Sequence, residues 1–138
     1  MRFMMLMYPG QKAETGVMPD SKVFEAMMKY NEELAKAGVL LALDGLQPSS
    51  KGARVRVTGG KRTIVDGPFS EAKELIGGYW LIQVRSREEA LEWASRVPLA
   101  EDEMVEVRQM FELSDFPAEV QKLAAPIEGA LAGKTRQK

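Results

Sequence analysis

The sequence predicts an α+β fold: one antiparallel sheet with both main helices on the same face. Three patterns carry this prediction: short strand-like segments bounded by glycine or proline, two segments with helical spacing, and the order of these segments. The order is strand, helix, two or three strands, helix, strand. Ferredoxin-like folds have this split βαββαβ order, so the sequence predicts that architecture.

The first elements are a strand and a helix. The apolar run over residues 2–8 predicts a strand buried on both faces, and a proline–glycine pair ends it. A helix is predicted to begin at the cap Asp20 or Ser21 and to end at Gly38, which suits a left-handed stop. Residues 39–46 then predict a second strand. The apolar face of the helix is predicted from residues at helical spacing: Val23, Phe24, Met27, Met28, Leu34 and Ala35.

The middle of the chain predicts a hairpin. Residues 54–58 alternate in polarity with a period of two, which indicates one solvent-exposed face and one buried face. Gly59 and Gly60 are a tight-turn signal, and residues 61–66 form the returning strand. Residues 70–75 can hold about one helical turn.

The second half of the order is a strand, a helix and a strand. Residues 78–84 predict a central strand with alternate residues on opposite faces. Ser86 and Glu89 form a capping box for the next helix, which Pro98 terminates. Residues 103–111 predict the last strand. A short helix is expected beyond it, over residues 116–124.

The sheet has apolar residues on both faces, although both helices cross the same one. The uncovered face therefore needs another layer, and a second copy of the chain is the simplest one. Two such sheets packed face to face form a dimeric α+β barrel, usually with a cavity inside. The sequence thus predicts a homodimer with a possible small-molecule ligand.

Composition excludes several classes of function. The 19 basic and 20 acidic residues nearly cancel, so there is no electrostatic reason to expect nucleic acid as a partner. The chain has no histidine and no cysteine, and no metal or cofactor is expected. No apolar run approaches the ~20 residues of a membrane span, so we expect a soluble, cytoplasmic protein without a membrane partner.

A corner followed by a charged turn resembles a known family signature. Asp66-Gly67-Pro68-Phe69, then Glu71, Lys73-Glu74 and Gly77-Gly78-Tyr79, is similar to the signature of DGPF-domain proteins within the YCII-related family. The resemblance covers about residues 1–112, which we predict to be one domain. Residues 113–138 are predicted to be a C-terminal helix and a flexible tail.

The resemblance implies a homodimeric α+β barrel in mostly bacterial proteins, many of them without an assigned activity. Some relatives in the wider family are thought to use a histidine–aspartate pair, and some are enzymes. Asp66 matches the aspartate of the signature, whereas this chain has no histidine.

Asp66 is the candidate catalytic residue. It could instead form a structural Asx-turn at the corner. As a general base near neutral pH, an aspartate without a histidine partner needs a raised pKa and therefore partial burial.

Five further residues are candidate ligand contacts: Tyr8, Glu71, Tyr79, Glu106 and Arg108. Glu71 could belong to a solvated turn or to a charged rim around a ligand. Glu106 and Arg108 are predicted on the face opposite their neighbouring valines. There they could pair with each other, form a salt bridge across the subunits, or Arg108 could bind a ligand carboxylate. The tyrosines could pack in the core or offer hydroxyls to a cavity.

Three functions remain open from the sequence. The first is a dimeric small-molecule-binding domain without demonstrated catalysis. The second is an enzyme that uses Asp66 for proton transfer on a small acidic or aromatic compound. The third is a regulatory or structural interaction module that docks through its sheet.

Overall fold

The structure is a computed structural model that describes residues 1–135, and within this range the chain forms six strands and four α-helices. The strands are β1 (Arg2–Tyr8), β2 (Leu40–Gly45), β3 (Ala53–Thr58), β4 (Lys61–Asp66), β5 (Gly78–Gln83) and β6 (Met104–Gln109). The α-helices are α1 (Gln11–Glu14), α2 (Ser21–Lys36), α3 (Arg87–Ser95) and α4 (Ala118–Thr135). Short 3-10 turns lie at Ser49–Lys51, Ala72–Glu74 and Leu113–Asp115.

Four strands form the main antiparallel sheet in the order β2-β5-β1-β6. In this register Met5 of β1 lies opposite Trp80 of β5 and Val107 of β6. With α2 after β1 and α3 after β5, this is the ferredoxin-like arrangement, so the predicted α+β fold class is confirmed.

One face of the sheet packs against α2 and α3 and forms the core. The sheet supplies alternate residues, which are buried because side chains along a strand point to opposite faces in turn. The buried core residues are Phe3, Met5, Tyr30, Leu34, Val39, Trp80, Ile82, Val84, Ala90, Trp93 and Val97. Val105 and Val107 of β6 pack against this cluster, as their alternation with Glu106 and Arg108 predicts.

The predicted helix ends are confirmed. The Asp20 carboxylate accepts a hydrogen bond from the Val23 amide at 3.0 Å, and Gly38 adopts a left-handed conformation with φ of 74°. The Ser86 hydroxyl accepts one from the Glu89 amide at 3.1 Å at the start of α3. Within residues 1–135 no helix has the length and apolar character to cross a membrane.

The predicted apolar face of α2 is partly wrong. Tyr30 and Leu34 are the buried residues of this helix, whereas Val23, Phe24 and Met28 are exposed. Tyr30 enters the core because its hydroxyl donates a hydrogen bond to the main-chain oxygen of Trp93 at 2.7 Å. Its ring also packs edge-on against the indoles of Trp80 and Trp93.

The hairpin forms as predicted, but neither of its faces is buried by residues 1–135. Gly59 and Gly60 make its tight turn with φ of 58° and 77°. Among the strands that the structure describes, β3 and β4 pair only with each other. They form a separate two-stranded sheet in which every residue is exposed. No other layer of the described chain covers Val55 and Ile64, which lie side by side on one face of the hairpin.

The last helix is longer than the sequence predicted. It runs to Thr135, past Pro126 and well beyond the expected end at residue 124. Phe111 and Phe116 stack with ring centroids 5.0 Å apart just before it begins. The end of the predicted flexible tail, residues 136–138, lies outside the described residues. The division between residues 1–112 and 113–138 stays a prediction.

Candidate functional site

The sheet face opposite the helices is the candidate site, and we call it the open face. The strand register places Leu6 beside Tyr79 and Glu106, and it places Met4 beside Leu81 and Arg108. Directly paired residues of an antiparallel sheet point to the same side, so these residues share one surface. The open face consists of Met4, Leu6, Tyr8, Ala42, Asp44, Tyr79, Leu81, Met104, Glu106 and Arg108.

The middle of the open face is apolar. Met4, Leu6, Ala42 and Leu81 occupy neighbouring strands there, and each is only partly exposed. Their polar neighbours lie towards the two edges of the sheet, on β2 and β5 at one side and on β6 at the other. The result is an apolar centre between two polar margins.

Tyr79 and Asp44 form the first polar margin. The Tyr79 hydroxyl donates a hydrogen bond to Asp44 Oδ2 at 3.0 Å between paired positions of β5 and β2. This bond, together with the negative charge of Asp44 and some loss of solvation, raises the pKa of Tyr79. Tyr79 is therefore a neutral hydrogen-bond donor, and its phenolate is not available as a base near neutral pH.

Glu106 and Arg108 form the second polar margin. Arg108 Nη1 lies 3.3 Å from Glu106 Oε2, and the Arg108 side chain is 72% exposed. This is the pair that the sequence suggested. Within residues 1–135 the Arg108 guanidinium makes no other hydrogen bond, so most of its donors remain available to an anion.

An ion pair closes the end of the open face nearest the N-terminus. Arg2 Nε and Nη2 donate to the two carboxylate oxygens of Glu112 at 2.8 and 3.1 Å. This bidentate contact lowers the pKa of Glu112 and raises the pKa of Arg2. At the other end, Tyr8 pairs with Met104, and its hydroxyl has no partner within the described chain.

Asp66 lies on the hairpin, away from these contacts. It is exposed at the end of β4, opposite Ala53, and its carboxylate makes no hydrogen bond or ion pair to residues 1–135. The alternation of β3 and β4 places it on the same side of the hairpin as Val55 and Ile64. The single chain therefore supplies neither an Asx-turn nor a buried environment for Asp66.

The residues after Asp66 anchor the corner instead. The Gly67 amide donates to the Gly52 carbonyl at 2.9 Å, and the Phe69 amide donates to Ser49 Oγ at 3.0 Å. The Arg54 guanidinium carbon lies 3.7 Å from the centre of the Phe69 ring, in a cation–π contact.

The Ser49 end of the corner is itself held by α1. The Ser49 amide donates to Glu14 Oε1 at 2.9 Å, and the Ser49 hydroxyl donates to Glu14 Oε2. The corner thus ties the base of the hairpin to α1 and to the 3-10 turn at Ser49–Lys51.

Glu71 lies in a third place. It lines a small polar cavity of about 340 Å³ together with Ser70, Lys73 and Asp102, and no open-face residue lines this cavity. The structure thus brings Tyr8, Tyr79, Glu106 and Arg108 to one surface and leaves Asp66 and Glu71 elsewhere. Their roles as site residues stay predictions.

Comparison with known proteins identifies the family. A model of the YCII-related domain matches residues 1–114. The chain belongs to the YCII-related domain family. An uncharacterised protein of Rhizobium meliloti (strain 1021) is 33% identical over 75 residues. The match covers 54% of this chain and 60% of that relative, so the two proteins align over only part of their lengths.

Sequence reasoning missed Asp44, Arg2 and Glu112. Simple alternation does not place Asp44, because a register shift between Leu40 and Ala42 puts Leu40 against the core and Asp44 on the open face. The bidentate partner of Arg2 had no local signal either, since Glu112 is 110 residues away along the chain.

The open face of this YCII-related protein carries hydrogen-bond donors, charged groups and apolar side chains. It offers a tyrosine donor, a guanidinium with free donors and an apolar floor, which suit a small organic ligand with an anionic or accepting group. Within residues 1–135 no three acidic side chains converge in a way that could hold a metal ion.

Proposed function

We propose that this YCII-related protein, of the DGPF type, is a homodimer whose open faces pack together and bind a small molecule between them. The observation that carries the proposal is the open face itself: an apolar centre between the Tyr79–Asp44 and Arg108–Glu106 pairs, with no covering layer in the described chain. We further propose that it acts in the cytoplasm of a bacterium, without a nucleic acid or membrane partner.

Burial of apolar surface supports the dimer. Met4, Leu6 and Leu81 are only partly exposed in the single chain, so a dimer would gain a fraction of the roughly 1.5–3 kcal/mol that separates full exposure from full burial of such a side chain. A two-fold axis would present each contact twice, which doubles the gain. Packed sheets lie about 10 Å apart, and polar side chains at the margins keep the seam from closing completely.

The polar margins support a ligand with an anionic group. Arg108 makes one contact at 3.3 Å, and the remaining N–H donors of its planar guanidinium are free within the described chain. Such a group can bind a carboxylate through two parallel hydrogen bonds. Tyr79 and Tyr8 add hydroxyl groups on the same surface. A compact carboxylate with an apolar portion would satisfy both the margins and the centre.

Sedimentation of a charge variant tests the dimer. We expect the wild-type protein to sediment as a dimer at micromolar concentration and Leu81→Glu, on the open face, to sediment as a folded monomer. Leu91→Glu is the matched control, because Leu91 lies on the exposed side of α3. A monomeric wild-type protein, or a Leu81→Glu variant that remains dimeric, would exclude this interface.

Benzoate titration tests the ligand site. Benzoate carries one carboxylate on an apolar ring, so we expect it to shift the Met4 methyl resonance in a saturable way. Arg108→Gln should weaken the effect and Arg108→Lys should restore part of it. Benzoate binding that is indifferent to Arg108 would place the ligand elsewhere and refute the role of this residue.

A second candidate function is proton transfer by Asp66. One observation favours it: Asp66 shares the exposed apolar side of the hairpin with Val55 and Ile64, so a partner that covers this side would also bury the carboxylate. Burial raises the pKa of an aspartate and can bring it towards neutrality. Asp66→Asn should then leave the fold intact and abolish any turnover.

A dimer seam that is completely filled by side chains would instead favour an interaction module.

A further inference from the structure

A second cavity, of about 980 Å³, lies at the end of the sheet where β1 leaves and β6 begins. It is formed by the segment between β1 and α2, the start of α2 and the loop between α3 and β6. No open-face residue lines it, so it is separate from the site proposed above. Its apolar walls include Pro9, Val17, Met18, Val23, Pro98 and Leu99.

Local contacts hold two parts of the cavity, the loop after α3 and Pro9. The loop after α3 is fixed because the Glu103 amide donates to the Ala100 carbonyl at 3.1 Å and the Ala100 amide donates to Glu103 Oε1 at 2.6 Å. Pro9 lies so close to Gly77 that a Cβ there would come within 2.4 Å of the proline ring.

The walls expose much apolar surface to water. Val17 and Met18 are 70% and 74% exposed, and Val23 and Leu99 are exposed as well. Side chains of this kind around a concave surface favour a ligand with an apolar body, because binding removes that surface from water. The volume lies at the upper end of the roughly 300–1,000 Å³ that small-molecule sites occupy.

Two lysines and two carboxylates line the cavity. Its two carboxylates are already used by the backbone: Asp20 accepts from the Val23 amide, and Glu103 accepts from the Ala100 amide. Its two lysines, Lys12 and Lys22, make no side-chain hydrogen bond or ion pair within residues 1–135. The carboxylates keep their charge, and the two lysines supply the donors that can pair with an anionic group of a ligand.

We propose that this cavity is a second binding site, which takes a small carboxylate with an apolar aromatic body. The body lies against Val17, Met18 and Leu99, and the carboxylate lies within reach of Lys12 and Lys22. A single aromatic ring or two fused rings are small enough to enter the cavity and large enough to cover these side chains.

The probe for this site is naphthalene-2-carboxylate, followed through the methyl resonances of the methionines. Met18 belongs to this cavity and Met4 to the open face, so the two signals report on the two sites separately; Met18→Leu assigns the first. We expect a saturable shift of Met18. Lys22→Gln should weaken binding about fivefold and Lys12→Gln with Lys22→Gln by more, as expected for partly exposed charge pairs.

Two controls separate charge from apolar contact. Lys29→Gln changes an exposed lysine of α2 that does not line the cavity, and it should leave the affinity unchanged. Naphthalene-2-carboxamide has the same body without the charge. It should bind more weakly than the carboxylate to the wild-type protein, and with equal affinity to the wild-type and doubly substituted proteins.

Four results would overturn the proposal. The first is no shift of the Met18 resonance at millimolar probe, and the second is an affinity that stays the same when both lysines are substituted. The third is a shift of the Met4 resonance alone that Leu81→Glu abolishes. The fourth is a Met18 shift on dilution without probe, which would mean that another copy of the chain fills the cavity. Failure of the proposed dimer does not count among them, since a monomeric Leu81→Glu protein should still bind the probe at Met18.

Discussion

Gly67→Ala is expected to loosen the corner that anchors the hairpin. A Cβ on residue 67 would lie 1.8 Å from the Ser49 carbonyl oxygen and 2.6 Å from the Ser49 carbonyl carbon. Both atoms belong to the backbone, so no change of side-chain rotamer can relieve the overlap. Since real Cβ atoms essentially never approach other atoms within 3.0 Å, the two segments must separate by about 1 Å.

The cost follows from the contacts that this separation breaks. It takes the Gly67 amide away from the Gly52 carbonyl and the Phe69 amide away from Ser49 Oγ, at about 1 kcal/mol for each hydrogen bond. It also weakens the Arg54–Phe69 contact, worth about 0.5–1 kcal/mol at an exposed site. We expect the corner to lose about 2–3 kcal/mol, which corresponds to roughly 30- to 150-fold more frequent opening.

Amide hydrogen exchange measures this loss directly. The amides of residues 67 and 69 should exchange faster in Gly67→Ala by that factor, while the amides of β1 and β5 change less. Gly52→Ala is the matched control at the same corner, because a Cβ there would lie 3.6 Å from the Ser49 oxygen, an ordinary contact. If Gly67→Ala exchanged at the same rates as Gly52→Ala, the close backbone approach would not be what holds the hairpin.

Three further expectations concern stability. Burial raises the pKa of Tyr30, so the neutral hydroxyl stabilises the folded protein below the ordinary tyrosine pKa of about 10, and this stabilisation is lost as the pH rises above it. Tyr30→Phe should therefore reduce the fall in unfolding free energy at alkaline pH, measured by urea unfolding. Arg2 lowers the pKa of Glu112, so the Arg2–Glu112 pair stabilises the folded protein above the ordinary glutamate pKa of about 4.3, and this stabilisation is lost in acid. Glu112→Gln should reduce the difference in unfolding midpoint between pH 7 and pH 3. An unchanged difference would show that the pair is not its source. Ser86→Ala should cost about 1 kcal/mol in thermal unfolding through loss of the α3 cap, whereas Ser95→Ala at the other end of the same helix tests whether any lost hydroxyl has that effect.

Local signals in the sequence predicted the elements well. Helix caps, the glycine pair of the hairpin and the stop at Gly38 act over a few residues, and each lies where it was expected. Strand alternation also assigned the faces of β5 and β6 correctly, because its period of two follows from backbone geometry alone. Four of the six candidate site residues consequently share the open face.

Partners distant in sequence were harder to predict. The buried face of α2 depends on which rings meet Tyr30, and these belong to β5 and α3. The buried face expected for the hairpin depends on a covering layer, which no residue of β3 or β4 can specify. The short helix expected over residues 116–124 instead continues through Pro126 to Thr135.

The sequence alone determined the α+β class, the order of the elements and the membership of the YCII-related family, since these depend on short-range patterns and on the signature after Asp66. Only the tertiary structure decided that Tyr79 meets Asp44, that Arg2 meets Glu112 and that Asp66 lies apart from both pairs. The physical reason is that side-chain contacts across a sheet are set by strand order and register, which bring together residues that local patterns cannot connect.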